Sequence, residues 1–231
     1  MSLPVPPLHK QWQSLDFPDL LSRPTAFVSI SQCNSLYHPD GKQGAEKQWE
    51  RGTLENTVKV AKASREAGHT FFWIGYDIFR DEYPKSPLDE AQYGAWSKAF
   101  GTAGMTKEQR DWDIALSPEL RELVEPGDHE FYEYAHQCSF YGTPLNMMLK
   151  RHNIETMIMC GLHLNWCIEG NSRAARDEGY MPIVVGDATS CQKIEDDAPT
   201  IERLNTIVCP VLSADQMVQY IRESIKKTKA A

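Results

Sequence analysis

Short unbroken apolar runs alternate along this chain with stretches whose apolar residues fall at helical spacing. Residues 155–160 (ETMIMC) are one such run, the pattern of a strand covered on both faces. Gly161 ends it. A helix is predicted from near Asn165, carrying Ser172, Arg173, Ala174 and Ala175, and Gly179 stops it. Residues 181–185 (MPIVV) are the next buried strand. Strand, crossover helix and strand make a βαβ unit, which implies a parallel sheet.

The same alternation extends in both directions. Residues 25–31 (TAFVSIS) predict the first strand, and 32–44 a loop with the turn signal HPDG at His38 to Gly41. A helix over 53–67 places Leu54, Val58, Ala61 and Ala67 near helical spacing, with Gly68 closing it. Residues 69–75 (HTFFWIG) are the second strand. A short helix over 117–124 has Ser117 as N-cap and Pro118 at its first position. After a turn at Pro126-Gly127-Asp128 comes the third strand, 130–134, then a helix over 143–152. Beyond the central unit the pattern predicts a loop over 188–199, a short helix near Thr200, a strand over 205–209 and a last helix from Ser213. The fold class is therefore α/β: a three-layer α/β/α sandwich around a six-stranded parallel sheet, Rossmann-like in topology.

Two stretches stand outside this rhythm. Residues 1–22 hold several prolines and are expected to form an extended arm, docked on a neighbouring subunit, before a single domain over 23–231. Residues 76–116 mix Tyr76, Phe79, Tyr83, Tyr93, Trp96 and Phe100 with charges and prolines. A connection this long serves as a lid, binding loop or oligomer contact, or is a surface excursion with a short helix near 90–98.

Composition narrows the function. A chain of 231 residues can bury a large core, and its net charge of −8 offers no basic stripe for nucleic acid. No apolar run approaches membrane-spanning length, and the opening MSLPVPPLHKQWQS lacks the features of a signal peptide. The expected location is cytoplasmic, with thiols reduced. The six cysteines (33, 138, 160, 167, 191 and 209) show no metal-binding spacing, and most are expected to be buried as small hydrophobes. Asp77, Asp81 and Glu82 lie in a segment without histidine, which reads as a solvated acidic loop. No metal or cofactor is expected. Cys167 differs from the other thiols in its place: the first turn of the crossover helix, just past a parallel strand. Ligands bind at such strand ends, and a helix N-terminus favours a thiolate.

Motifs sharpen this. Gly161, Leu162, His163, Leu164, Asn165, Trp166, Cys167 and Ile168, then Arg173, Ala175, Gly179, Tyr180, Asp187 and Ala188, follow the pattern G-[VI]-[AT]-T-N-x-C-V-x-x-T-x-R-x-A with a later G-[YF] and D-A. Residues 138–149 (CSFYGTPLNMML) follow S-x-F-x-[GN]-T-x-L, and FVSISQCNSLYHPDG follows a first-strand motif L-V-I-D-M-Q-N-x-x-x-H-P-x-G. The chain thus resembles the isochorismatase-like superfamily of cysteine hydrolases, which includes nicotinamidases, N-carbamoylsarcosine amidases and ureidoacrylate amidases. The resemblance runs from Thr25 to Ile221.

It implies Cys167 as the nucleophile and the backbone N–H groups of His163 and Cys167 as the oxyanion hole, after a cis peptide. It also implies an aspartate after the first strand and a lysine after the third. Here those positions hold Ser31 and Tyr134, with Glu133 as the alternative to Tyr134. Serine is not a base near neutral pH and tyrosine carries no positive charge. His163 stands where the family has a small residue, and is either a structural histidine or a replacement base. Tyr134 either bonds substrate or covers the core edge. Leu36, Tyr76 and His136 are the expected substrate contacts.

The expected function is hydrolysis of a small-molecule C–N bond, amide or carbamoyl, through Cys167 with Ser31, Tyr134 and His163 in support. The alternatives are a lapsed member that binds a small molecule or protein, or an enzyme of different chemistry on the same scaffold. The isochorismatase branch proper needs the aspartate, so Ser31 argues against that activity. The resemblance also implies a homo-oligomer, dimer or tetramer.

Overall fold

The computed structural model describes residues 4–75, 86–100, 104–132 and 137–230. Six strands form one sheet: β1 (Thr25–Ile30), β2 (Thr70–Ile74), β3 (His129–Phe131), β4 (Thr156–Leu162), β5 (Met181–Ser190) and β6 (Val211–Leu212). All pairings are parallel and the spatial order is β3-β2-β1-β4-β5-β6. This is the sheet expected from the apolar runs.

Alternate residues of each strand feed two separate cores. Phe27, Phe71, Trp73, Ile158, Cys160, Ile183 and Val185 face one layer, built from α1 (Phe17–Ser22), α3 (Thr53–Glu66) and the C-terminal α10 (Ala214–Ala230). Val28, Ile30, Phe72, Ile74, Met157, Met159 and Val184 face the other, which holds α7 (Leu145–Arg151), α8 (Glu169–Asp177) and α9 (Asp197–Arg203). Burial on both faces explains why the strands read as unbroken apolar runs rather than alternating ones. The remaining helices are α2 (Asn34–Tyr37), α4 (Pro87–Phe100), α5 (Lys107–Ile114) and α6 (Pro118–Arg121). No described helix is long and apolar enough to cross a membrane.

The chain departs from the sequence pattern in three places. Residues 205–209, expected as a strand, lie mostly in a π-helical turn (Leu204–Val208), and the last strand is Val211–Leu212. Buried Leu204 and Val208 give an apolar run that periodicity cannot tell from a strand. The Arg176 guanidinium donates to the carbonyls of Ile207 and Val208 and closes the turn. β5 extends five residues past its expected end, to Ser190, and α9 starts at Asp197, which shortens the expected loop. The opening segment lies on its own chain. Phe17 and Leu21 of α1 are buried, Phe17 stacks on Tyr220 of α10 at 5.2 Å, and the Trp12 indole donates to the carbonyl of Asn205 at 2.6 Å.

His69, just before β2, ties α1 to the sheet. Its Nε2 lies 3.2 Å from the carbonyl of Leu21, and its buried Nδ1 has no partner among the described residues. A carbonyl only accepts, so Nε2 carries the proton. Burial pushes the imidazole down to about 4 from 6.5. The unfolded chain therefore takes up a proton near pH 6.5 that the folded chain refuses. Stability should fall as pH drops from 6.5 to 4, by about 3 kcal/mol from this group alone. Urea unfolding at pH 7 and pH 4.5 should show that loss in the wild type and a smaller loss in His69→Gln. Equal losses in both proteins would contradict it.

Candidate active site

The strand order reverses at β1 and β4. The chain winds outward from β1 through β2 to β3, then returns to the other side of β1 to lay down β4. In open α/β sheets the ligand crevice lies outside the strand C-termini at such a reversal. The residues that leave these two strands are Ser31 after β1 and the segment His163 to Cys167 after β4.

Gly161 makes the meeting possible. It pairs with Ile30 at φ +125, and a Cβ there would lie 2.0 Å from the Ile30 carbonyl oxygen. Two residues on, the Leu162–His163 peptide bond is cis, as the resemblance implies. A π-helical turn (Leu164–Ile168) then carries Cys167 into α8. Ser31 adopts φ 55, an uncommon region for a non-glycine residue, and its N–H donates to the carbonyl of Ile74 at 2.7 Å.

Cys167 is 2% exposed. Burial pushes its thiol up to about 12. The Ser31 hydroxyl, the backbone N–H of His163 and that of Cys167 itself all pull the other way, while the Cys138 thiol adds to the rise. The helix-end field expected to favour a thiolate is therefore outweighed by desolvation. The groups that favour negative charge on the sulfur are the backbone amides of His163 and Cys167 and the Ser31 hydroxyl. The Ser31 hydroxyl acts on the thiol without a well-formed hydrogen bond, and its buried oxygen has no such bond among the described residues.

The His163 ring turns elsewhere. Its Nε2 lies 2.7 Å from Oε2 of Glu46, and Trp166 packs edge-on against it at 5.8 Å. Among the described residues no hydrogen bond joins the ring to the Cys167 sulfur. Leu36, expected against substrate, is 2% exposed and belongs to the core on the α3 side. Tyr76, Tyr134 and His136, with Glu133, Asp77, Asp81 and Glu82, lie outside the described residues. Among the described residues no cluster of three or more histidines, cysteines or acids is arranged to hold a metal.

Sequence reasoning missed two residues. Asn171, fully buried on α8, donates to the carbonyl of Cys167 at 2.8 Å and to that of Gln137 at 3.2 Å, and accepts from the N–H of Ser139 at 2.9 Å. It fastens the 137–139 segment to the cysteine turn. Its one signal was an amide among small residues on a crossover helix. Glu46 had none, because it comes from a short 3-10 turn (Gly44–Glu46) in a loop without periodicity.

The chain is similar to known proteins. Over 149 residues the chain is 29% identical to the ureidoacrylate amidohydrolase RutB of Cronobacter sakazakii, a match covering 59% of this chain and 60% of that protein. The match thus leaves about two fifths of that relative's length unpaired. A cysteine hydrolase from Pseudomonas syringae pv. phaseolicola 1448A superposes with a TM-score of 0.71 at 16% identity, covering 97% of this chain and all of that one. The N-carbamoylsarcosine amidase of Thermoplasma acidophilum superposes with a TM-score of 0.61 at 21% identity, covering 83% and 97% of the two chains. At those identities the two structures speak for the fold alone. The profile of the Isochorismatase domain matches residues 25–216, which takes in every strand and the whole β1–β4 site, and the chain belongs to the isochorismatase family.

Proposed function

We propose that this protein hydrolyses a small-molecule C–N bond, amide or carbamoyl, with Cys167 as nucleophile and Ser31 and Tyr134 in place of an acid and a base. One observation carries the reading. β1 and β4 end side by side, and the Ser31 hydroxyl and the backbone N–H groups of His163 and Cys167 there all favour negative charge on the Cys167 sulfur. The ureidoacrylate amidohydrolase relative supports the bond type.

Burial of the thiol disfavours a free thiolate and so favours a concerted proton transfer. Ionising a thiol held at about 12 in advance, at pH 7, costs about 7 kcal/mol. A relay avoids that step. The sulfur attacks the carbonyl carbon while its proton passes to Ser31 Oγ, and the Ser31 hydroxyl proton moves to the leaving nitrogen. The C–N bond breaks, the amine departs neutral, and a thioester remains on Cys167. Water then cleaves the thioester, and the sulfur regains a proton. Serine gives one proton as it takes another, so it need not be a base. The N–H groups of His163 and Cys167 bind the oxyanion in both steps. Tyr134 donates a hydrogen bond to the substrate.

A lapsed, ligand-binding site is the second reading. It is favoured by the raised thiol and by the lack of any ionisable side chain bonded to that sulfur among the described residues. Ammonia release from a panel of primary amides and N-carbamoyl compounds separates the two. Wild type should turn over at least one of them, with an acyl mass trapped on Cys167, and Cys167→Ala should turn over none. Ligand-induced thermal shifts without ammonia release or adduct would favour the binder.

A further inference from the structure

We infer that Glu46 is a positioning residue for His163, and that the pair provides the proton acceptor for thioester hydrolysis at Cys167. The inference rests on the hydrolase reading above and supplies what that reading lacks, a base for the attacking water.

The pair is built rather than incidental. The side chains of His163 and Glu46 are only 6% and 12% exposed. Glu46 Oε2 faces His163 Nε2 at 2.7 Å and also accepts from Gln48 Nε2 at 3.1 Å. Its Oε1 accepts from Gln192 Nε2 at 3.2 Å. Gln48 is fully buried and is itself fixed by the carbonyl of Cys191 and the hydroxyl of Ser190, at the end of β5. Arg51 donates to the carbonyls of Glu46, Cys191 and Gln192. An otherwise irregular loop is thereby tied to the strand ends that frame the nucleophile.

This arrangement sets the histidine's tautomer. Burial pushes the Glu46 carboxyl up, but the His163 imidazole and the Gln48 and Gln192 amides outweigh it and hold it below the usual range. Glu46 is therefore a carboxylate near neutral pH, and a carboxylate only accepts. The proton must sit on Nε2, leaving a lone pair on Nδ1 when the ring is neutral. Nδ1 has no partner among the described residues. It is also the ring nitrogen nearer the backbone, on the residue that opens the turn holding the Cys167 sulfur and whose carbonyl accepts from the N–H groups of Trp166 and Ile168 at 3.1 Å. A base fixed there serves the carbonyl carbon bound to that sulfur.

The step balances without a co-reactant other than water. Nδ1 takes a proton from water as its oxygen attacks the thioester carbon. The tetrahedral intermediate collapses with cleavage of the C–S bond, and the proton on Nδ1 passes to the departing sulfur. The acid is released, and thiol and neutral imidazole return. Glu46 stabilises the transient imidazolium without taking its proton, as an orienting carboxylate does in serine-type triads.

The test uses p-nitrophenyl acetate, whose activated, chromogenic leaving group makes acylation fast and visible, so acylation and deacylation separate. Wild type should show a burst of one p-nitrophenolate per Cys167, followed by steady turnover. His163→Ala and Glu46→Gln should keep the burst. His163→Ala should slow the steady phase by about 10²- to 10⁴-fold, with free imidazole restoring it. Glu46→Gln should slow it at least about tenfold. Nitrogen-15 NMR of labelled histidine at pH 8 should report Nε2–H in the wild type and a mixture of tautomers in Glu46→Gln. A burst with unchanged steady turnover in both variants overturns the dyad while leaving the hydrolase reading intact. So does a slow His163→Ala that imidazole fails to rescue, which would mark a structural role. No burst in the wild type overturns the hydrolase reading, and the base role falls with it. If His163→Ala does not fold, Glu46→Gln, which keeps the size and one acceptor oxygen, decides alone.

Discussion

Gly161→Ala is expected to destabilise the protein by more than about 4 kcal/mol, or to prevent folding outright. The added Cβ would lie 2.0 Å from the Ile30 carbonyl oxygen, 2.8 Å from its nitrogen and 2.9 Å from its carbonyl carbon. All three are backbone atoms of β1, so no side chain can swing aside. Relief requires β1 and β4 to part at the centre of a sheet buried on both faces. The φ of +125 adds strain for any L side chain. Gly179→Ala is the control. Gly179 sits at φ +91 after α8 with nothing within 4 Å of its would-be Cβ, so only the backbone term applies, about 1–2 kcal/mol. Urea unfolding of both variants should therefore differ by at least about 2 kcal/mol, a large share of a typical domain's 5–15 kcal/mol. If Gly161→Ala lost no more than Gly179→Ala, β1 and β4 would not be in the contact that brings Ser31 to Cys167.

That contact also shows which parts of the site could be read from the chain. Strands covered on both faces leave runs such as TMIMC, and these placed β1, β2 and β4 within a residue or two. Cys167 follows the end of β4 and so was legible, and Ser31 was reached through the first-strand motif, but that β1 and β4 lie side by side is known only from the sheet order. The turn Leu204–Val208 was not, because a buried helical turn and a buried strand leave the same apolar signature. Cys167 shows a different failure. Its place at a helix start pointed to a thiolate, but desolvation depends on what covers the sulfur, which no local pattern encodes. Glu46 was hidden for a related reason. It is 117 residues from His163, and only the folded sheet edge brings the loop holding it to β4. Such long-range polar pairs leave no periodic trace in either partner's neighbourhood.

Ser31→Ala should raise stability and lower turnover together, and the pairing of these two signs is what identifies the relay. The Ser31 hydroxyl oxygen is buried and without a well-formed hydrogen bond among the described residues. Such a group costs about 1–3 kcal/mol relative to none. Removing it should raise the melting temperature, the usual signature of a polar group kept for function rather than for the fold. The same change removes the group through which the thiol proton leaves, so turnover of an amide substrate should fall by about 10²- to 10⁴-fold. Restoring the family pattern with Ser31→Asp and Tyr134→Lys should not rescue or improve that turnover. A buried aspartate beside a thiol held at about 12 would compete for the proton instead of passing it to the leaving nitrogen. The opposite result is equally clear. If the double variant hydrolyses amides that the wild type leaves untouched, and Ser31→Ala changes stability alone, the site has decayed and Cys167 now lines a binding pocket. In that case the energetic cost of the bare hydroxyl would be met by a bound ligand, and adding that ligand should raise the melting temperature of the wild type more than that of Ser31→Ala.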